Sequence, residues 1–313
     1  MNAVDRLEAL RPTDADVDRL WSRAERHAAL DGVLHPAPRR SIRRPLMLGV
    51  AAASVAVVAL GVSLVLPGGA PGGASPAAAA ELDRLAGIAA AAPFDTARAD
   101  QFLHMVVVDT QTSDGSAAEN PAGTSVRTLE SWTGADGSIW RMDTDAGRVQ
   151  YFRFPTGGDD TAAPSPAYLA SLPTDPAALG AYLRANVSGS TSADEAVFTA
   201  VGDMLRGGFA PPALRVAALT VLKGTPHVAL GPATVDGQGR PVVELDFVDQ
   251  GNRPDQVQAL YFSTETAEIV QESQRAPGFA FTGVVRTSDI ADAVPADVLA
   301  HAVGSNATGA SKG

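Results

Sequence analysis

Cysteine is absent from this chain of 313 residues. Its absence excludes disulfide bonds, thiolate metal sites and cysteine nucleophiles together. A folded domain outside the cytoplasm must therefore be stabilised by packing alone, which a chain of this length can provide. Lysine occurs only at positions 223 and 312, so arginine supplies nearly all of the positive charge.

Aromatic residues are also scarce, at 5%, but hydrophobic residues make up 45% of the chain and the mean hydropathy is +0.04. These values exclude a wholly disordered chain. The net charge of -11 is uneven, because residues 1–45 carry nine Arg and seven Asp or Glu, whereas the remainder carries 15 basic and 28 acidic residues. Since phosphate repels such an acidic region, we expect no nucleic-acid binding.

No catalytic or cofactor motif is present. The sequence lacks a GxSxG elbow, a glycine-rich loop followed by Lys-Ser/Thr, and the spacing of a calcium loop. We therefore expect no enzymatic activity, no cofactor and no metal site. His104 and His227 are interpreted as structural histidines, and Asp143 and Asp145 as solvated charges in turns.

A run of 21 uncharged residues at 46–66 follows Arg39, Arg40, Arg43 and Arg44. Its length as a helix matches the roughly 30 Å hydrocarbon core of a membrane. The positive-inside rule then predicts a single-pass protein of the cell membrane, with a cytoplasmic N-terminus and an extracytoplasmic C-terminus. A cleaved secretory or twin-arginine signal is the alternative, but 45 residues before the run and the long run itself fit it poorly.

The predicted cytoplasmic stub, residues 1–45, contains a short amphipathic helix that Thr13 can cap. One face of that helix carries the candidate partner-binding residues Val17, Leu20, Trp21, Ala24 and Ala28. The stub has no core in which to bury them. The stripe indicates either a docking helix for a cytoplasmic partner or a frayed lead-in to the membrane.

Residues 67–80 form a Pro/Gly/Ala linker by composition, residues 81–300 an extracytoplasmic domain, and residues 301–313 a disordered tail. Within the domain, strand patterns come first, helix patterns occupy the middle, and strand patterns return. This order predicts an α+β fold around one antiparallel sheet. The predicted strands are 102–111, 125–133, 138–143, 148–154, 228–235, 242–248, 256–263, 269–275 and 281–288, and helices are predicted near 82–88, 176–183, 194–206 and from 211.

Three segments resemble a known family: LPTDP at 172–176, MLR at 204–206 leading to PPALR at 211–215, and DGQGR at 236–240. The family is that of actinobacterial single-pass membrane proteins of mostly unknown function, often encoded beside extracytoplasmic-function sigma factors. The resemblance implies an outer domain similar to the curved half-barrel of LolA-like lipoprotein carriers and RseB-type sensors. The chain departs from the family where TETA at 264–267 replaces a glycine-containing turn.

The resemblance implies a membrane-anchored binding or sensor protein whose outer domain holds an apolar ligand, such as a lipid or a lipoprotein, or a partner segment, without catalysis. An anti-sigma-type transmembrane regulator, whose cytoplasmic helix binds a sigma factor, is the alternative function.

Overall fold

The computed structural model describes residues 72–94, 97–116, 121–154, 161, 164–188 and 190–304. The predicted stub, with its stripe at Val17, Leu20, Trp21, Ala24 and Ala28, and the apolar run at 46–66 lie outside the described residues. Among the helices that are described, none is long and apolar enough to cross a membrane. The described residues within 67–187 and 191–313 form one compact unit.

The helices begin where the sequence offers a cap or a proline. Ser75, Ser165, Asp175 and Ser192 each accept a backbone N–H of the first turn through the side chain, and three of these helices have proline among their first residues. The helices are α1 (Pro76–Ala91), α2 (Pro166–Ser171), α3 (Pro176–Asn186), α4 (Ala193–Leu205), α5 (Pro212–Lys223) and α6 (Ala296–His301).

The strands form a single curved sheet. Their order across it is β11-β4-β3-β2-β1-β10-β9-β8-β7-β5, with β6 paired to β7. All pairings are antiparallel except β11 with β4. The strands are β1 (Phe102–Ser113), β2 (Gly123–Gly134), β3 (Ile139–Asp145), β4 (Arg148–Phe154), β5 (Val228–Leu230), β6 (Thr234–Val235), β7 (Pro241–Phe247), β8 (Val257–Ser263), β9 (Ile269–Ala276), β10 (Phe279–Ala291) and β11 (Val303–Gly304).

Four helices, α1, α3, α4 and α5, pack on one face of the sheet at β5 and β7–β9. The core there joins helix residues such as Leu85, Phe198 and Leu219 to Leu245 and Phe262 of the sheet. We call this side of the sheet the helix side. Because side chains alternate along strands, the register defines the helix side of every other strand as well.

Helix α6 packs on the reverse side, at the far end of the sheet. Val298 of α6 joins Val294 and Trp132 in a small core that also includes Trp140 and Tyr151. The two ends of the sheet are therefore covered by helices on opposite sides.

Most of the predicted strands and helices are confirmed by the observed elements, but four predictions need correction. The predicted disordered tail begins too early, because His301 ends α6 and Val303–Gly304 form β11. The predicted linker ends too late, because Ser75 caps α1 at Pro76 and the alanines that follow favour a helix. The predicted strand 228–235 is two short strands. Asp143 is not a solvated turn charge, since it lies in β3, is 5% exposed and pairs with Arg141. The short elements α2, α6 and β11 were not predicted.

Candidate functional site

The helix side of β1–β4 and of the second half of β10 is not part of the core that the helices form. The buried core under α1, α3, α4 and α5 contains residues of β5 and β7–β9 but none of β1–β4 or β10. We call this uncovered region the open face. Its half-buried apolar side chains are Met105, Leu129, Ile139, Phe152, Phe154 and Ile290, and the same side also carries Leu103 and Val107, which are 7% and 8% exposed.

The register places these side chains on the helix side. Leu260, which belongs to the helix core, pairs with Glu272, Glu272 with Gly283, and Gly283 with Asp109. The same row continues through Arg127 and reaches Arg148 in β4. Because every second residue of a strand faces the same side, this row assigns Met105, Leu129, Phe152 and Phe154 to the helix side as well.

Aromatic rings and one arginine form the outer part of the open face. The rings of Phe152 and Phe154 are stacked with centroids 6.3 Å apart. The guanidinium of Arg141 lies 5.1 Å from the first centroid and 5.6 Å from the second. Nε and Nη2 of Arg141 are 2.8 and 2.9 Å from the two carboxylate oxygens of Asp143. The arginine is thus held flat by a carboxylate and contributes its own apolar plane to the surface.

A row of ion pairs separates the open face from the helices. Nη2 of Arg206, just after α4, lies 2.5 Å from Glu272 and 3.0 Å from Asp203. Burial lowers the pKa of Arg206, but Glu272 and Asp203 outweigh that effect and the pKa is raised. Burial also raises the pKa of Asp109, and the hydrogen bond from Arg127 only partly offsets it. The row keeps its charges paired beside an apolar surface.

The two histidines differ in their surroundings. The ring nitrogens of His104 lie 2.9 Å from Glu130 and 2.9 Å from Asp289, and its ring stacks on Trp132 at 5.1 Å. These partners confirm the prediction that His104 is a structural histidine. His227 has a positive φ of 68° and approaches the edge of Phe247. Neither belongs to the open face.

The sequence did not indicate the open face as a site. Its residues follow the same alternation as those of the helix-covered strands, so the pattern alone does not distinguish them. The candidate partner-binding residues of the stub lie outside the described residues, and the structure tests none of them. The ion pairs at Asp109 and Asp143 were also missed: Arg127, the partner of Asp109, is brought by the neighbouring strand β2, whereas Arg141 lies two residues before Asp143 on β3.

Comparison of the sequence with family models and with curated proteins finds no match. Comparison of the fold with solved structures finds MucB, at 14% identity and a TM-score of 0.31, over 72% of this chain and 62% of that chain. It also finds the Mycobacterium tuberculosis lipoprotein LppX, at 9% identity and a TM-score of 0.26, over 71% of this chain and 99% of that chain.

A LolA superfamily protein from Nitrosomonas europaea is similar at 9% identity and a TM-score of 0.23, over 69% of this chain and 95% of that chain. The chain spans only 62% of the length of MucB. The three TM-scores lie below 0.5.

Proposed function

We propose that the domain binds an apolar ligand, the acyl chain of a lipid or of a lipoprotein, on its open face. One observation carries the proposal: half-buried apolar side chains lie on the helix side of β1–β4 yet outside the core that the helices form. Because a helix with its side chains is about 10 Å in diameter, the helices rise above the sheet beside the uncovered strands. An apolar chain lying against the helices there would bury surface on two sides.

The expected gain comes from the hydrophobic effect. Covering apolar surface contributes roughly 25 cal/mol per Å². Asp109 pairs with Arg127 and Asp143 with Arg141, so the ligand's main contribution is apolar contact.

Photocrosslinking of the full chain in its native host tests this proposal. A benzophenone amino acid at Phe154 should capture a lipid or acylated peptide, identified by mass spectrometry. The matched control places the same group at Val149, which lies on the same strand, points to the reverse side and is 45% exposed. Equal capture at the two positions, or none at Phe154, would refute the proposal.

We also propose that residues 46–66 anchor this domain in the cell membrane, with residues 1–45 in the cytoplasm. The support is the uncharged run after four arginines. Alkaline phosphatase fused after residue 313 should be active and the same enzyme fused near residue 40 inactive. The opposite pattern would show that the orientation is reversed.

A sensor role, and the alternative role of an anti-sigma-type regulator, remain proposals about the same chain. The regulator is favoured only by the apolar stripe around Trp21. Pull-downs with residues 1–45 should lose a bound sigma factor on Trp21→Ala but not on Arg23→Ala. If all three baits recover the same proteins in the same amounts, the regulator role is refuted.

A further inference from the structure

A cleft of about 350 Å³ lies where β9 and β10 separate. β10 pairs with β1 along its whole length but with β9 only along Phe279–Val284. The two strands therefore diverge beyond Val284. Both strands line the cleft, and the lining includes Arg286 and Ser288 of β10 together with Gly207, Arg240 and Glu268.

The charged groups at this cleft are mainly positive. Arg286 is exposed, donates from Nη1 to the carbonyl of Gly237 at 3.2 Å, and forms no ion pair within the described part of the chain. Arg240 is 50% exposed and pairs with Asp236 at 2.6 Å. Glu268 is the acidic residue among those that line the cleft. An anion entering the cleft would meet two guanidinium groups.

A third guanidinium lies behind Glu268. Arg215 is 1% exposed, and its Nη1 is 3.6 Å from Glu268 and 3.5 Å from the carbonyl of Thr266. Its Nε and Nη2 have no hydrogen-bond partner among the described residues. Neighbouring guanidinium N–H groups of this kind can bind a carboxylate or phosphate in a bidentate manner, although Arg215 itself does not line the cleft. A buried cation with unpaired donors is costly, so a bound anion would relieve that cost.

Burial also lowers the pKa of Arg215, and only Glu268 opposes the effect. The ring of Phe94 lies 5.8 Å from the guanidinium and offers no acceptor that could replace an anion. Glu268 is 31% exposed and can turn toward solvent when another anion takes its place.

The cleft adjoins the open face. Gly207 lines the cleft, and a Cβ on this residue would lie 3.0 Å from Sδ of Met105, which belongs to the open face. Ser288, which also lines the cleft, donates its hydroxyl to the carbonyl of Gly207. A ligand with an apolar part on the open face could therefore place its end in the cleft.

We propose that this cleft binds the anionic end, a carboxylate or phosphate, of an amphiphilic ligand, with Arg240 and Arg286 lining the site and Arg215 as a further cation behind Glu268. The inference rests on the proposed function, because it assigns the apolar part of the same ligand to the open face.

The test uses the full chain in amphipol and two photoactivatable probes, a palmitic acid and the corresponding hexadecanol. The wild type should be labelled at about tenfold lower concentration of the acid than of the alcohol. Arg286→Gln and Arg215→Met should each remove most of this difference. Arg84→Gln, which removes an exposed charge on α1, should leave it unchanged.

Because replacing a poorly paired buried charge by Met is often neutral or stabilising, Arg215→Met should melt no lower than the wild type. If the acid and the alcohol label the open face equally in every variant, the anion site is refuted while the apolar site stands. If neither probe labels the open face, the proposed function itself fails. If inorganic phosphate binds to the wild type and neither lipid probe does, the cleft is a site for free anions, and the proposal of an amphiphilic ligand is refuted.

Discussion

The helix side of this one sheet has two halves that differ in what covers them. On the covered half, β5 and β7–β9 carry side chains such as Leu245 and Phe262, both 0% exposed under α3, α4 and α5. On the open half, Phe152 and Phe154 have the same alternation in sequence and the same chemistry but stay half-buried. The difference teaches that the strand pattern fixes which side a residue faces, whereas tertiary packing decides whether that side is used for stability or left for binding.

The two phenylalanines Phe262 and Phe154 offer the largest expected difference between the halves. Phe262→Ala should destabilise the domain by about 3–5 kcal/mol, because it leaves a cavity in a closed core. Phe154→Ala should cost about 1 kcal/mol or less, because part of its surface is already exposed, and should instead weaken ligand capture. Urea unfolding of residues 67–313, which we expect to fold cooperatively alone, measures both.

If Phe154→Ala proves as destabilising as Phe262→Ala, the open half is a second closed core and the distinction is wrong. A non-cooperative transition of the wild-type fragment would show instead that residues 1–66 are needed for the fold. The exposed Val126 on the reverse side of β2 provides a surface control, since Val126→Ala should change stability little.

Arg206 lies at the boundary between the two halves, and replacing it should destabilise the domain less than Phe262→Ala does. Arg206→Leu removes the cation that pairs with Glu272 and Asp203 and that also interacts electrostatically with Asp109. Since Arg206 is 28% exposed, solvent screens part of the loss, and we expect about 1–2 kcal/mol. Adding Glu272→Gln should restore part of the stability in a double-mutant cycle. No coupling between the two positions would show that the ion pair does not join the halves.

Much of the covered half could be predicted from the sequence. Asp175 before Pro176 marks the start of α3, and Leu214, Ala217, Ala218, Val221 and Leu222 mark the buried face of α5. Arg215, beside Leu214, is just as buried but could not be predicted, because local pattern gives no reason to bury a cation. The pairing of β1 with β10, nearly 180 residues apart, is likewise outside the reach of local rules, and it creates both the open face and the cleft.

The smallest expected effect lies on the reverse side of the covered half, where polar groups replace the helices. Burial, together with the nearby carboxylate of Glu244, raises the pKa of Asp246 to about 7 from an ordinary value of 3.8, and Arg275 only partly opposes this. Glu244 also accepts hydrogen bonds from Tyr261 at 3.0 Å and from Arg275 at 3.1 Å. Asp246 therefore holds a proton at pH values where an unfolded chain would have released it.

The sign of the pH dependence follows from that extra proton. Between about pH 4 and pH 7 the folded domain binds one more proton at Asp246 than the unfolded chain, so this group's contribution to stability falls as pH rises and becomes constant above about pH 7. Asp246→Asn, which resembles the protonated acid, should remove this part of the decrease and raise the melting temperature at pH 8 by about 3 °C. Asp100→Asn, which replaces a carboxylate that is 75% exposed, should change neither the pH dependence of stability nor the melting temperature.

If Asp246→Asn lowers the melting temperature at pH 8, or leaves the slope of stability between pH 4 and pH 7 unchanged, Asp246 is ionised in the folded domain. In that case Arg275 outweighs burial and Glu244, and the reverse side of the covered half is stabilised by an ion pair.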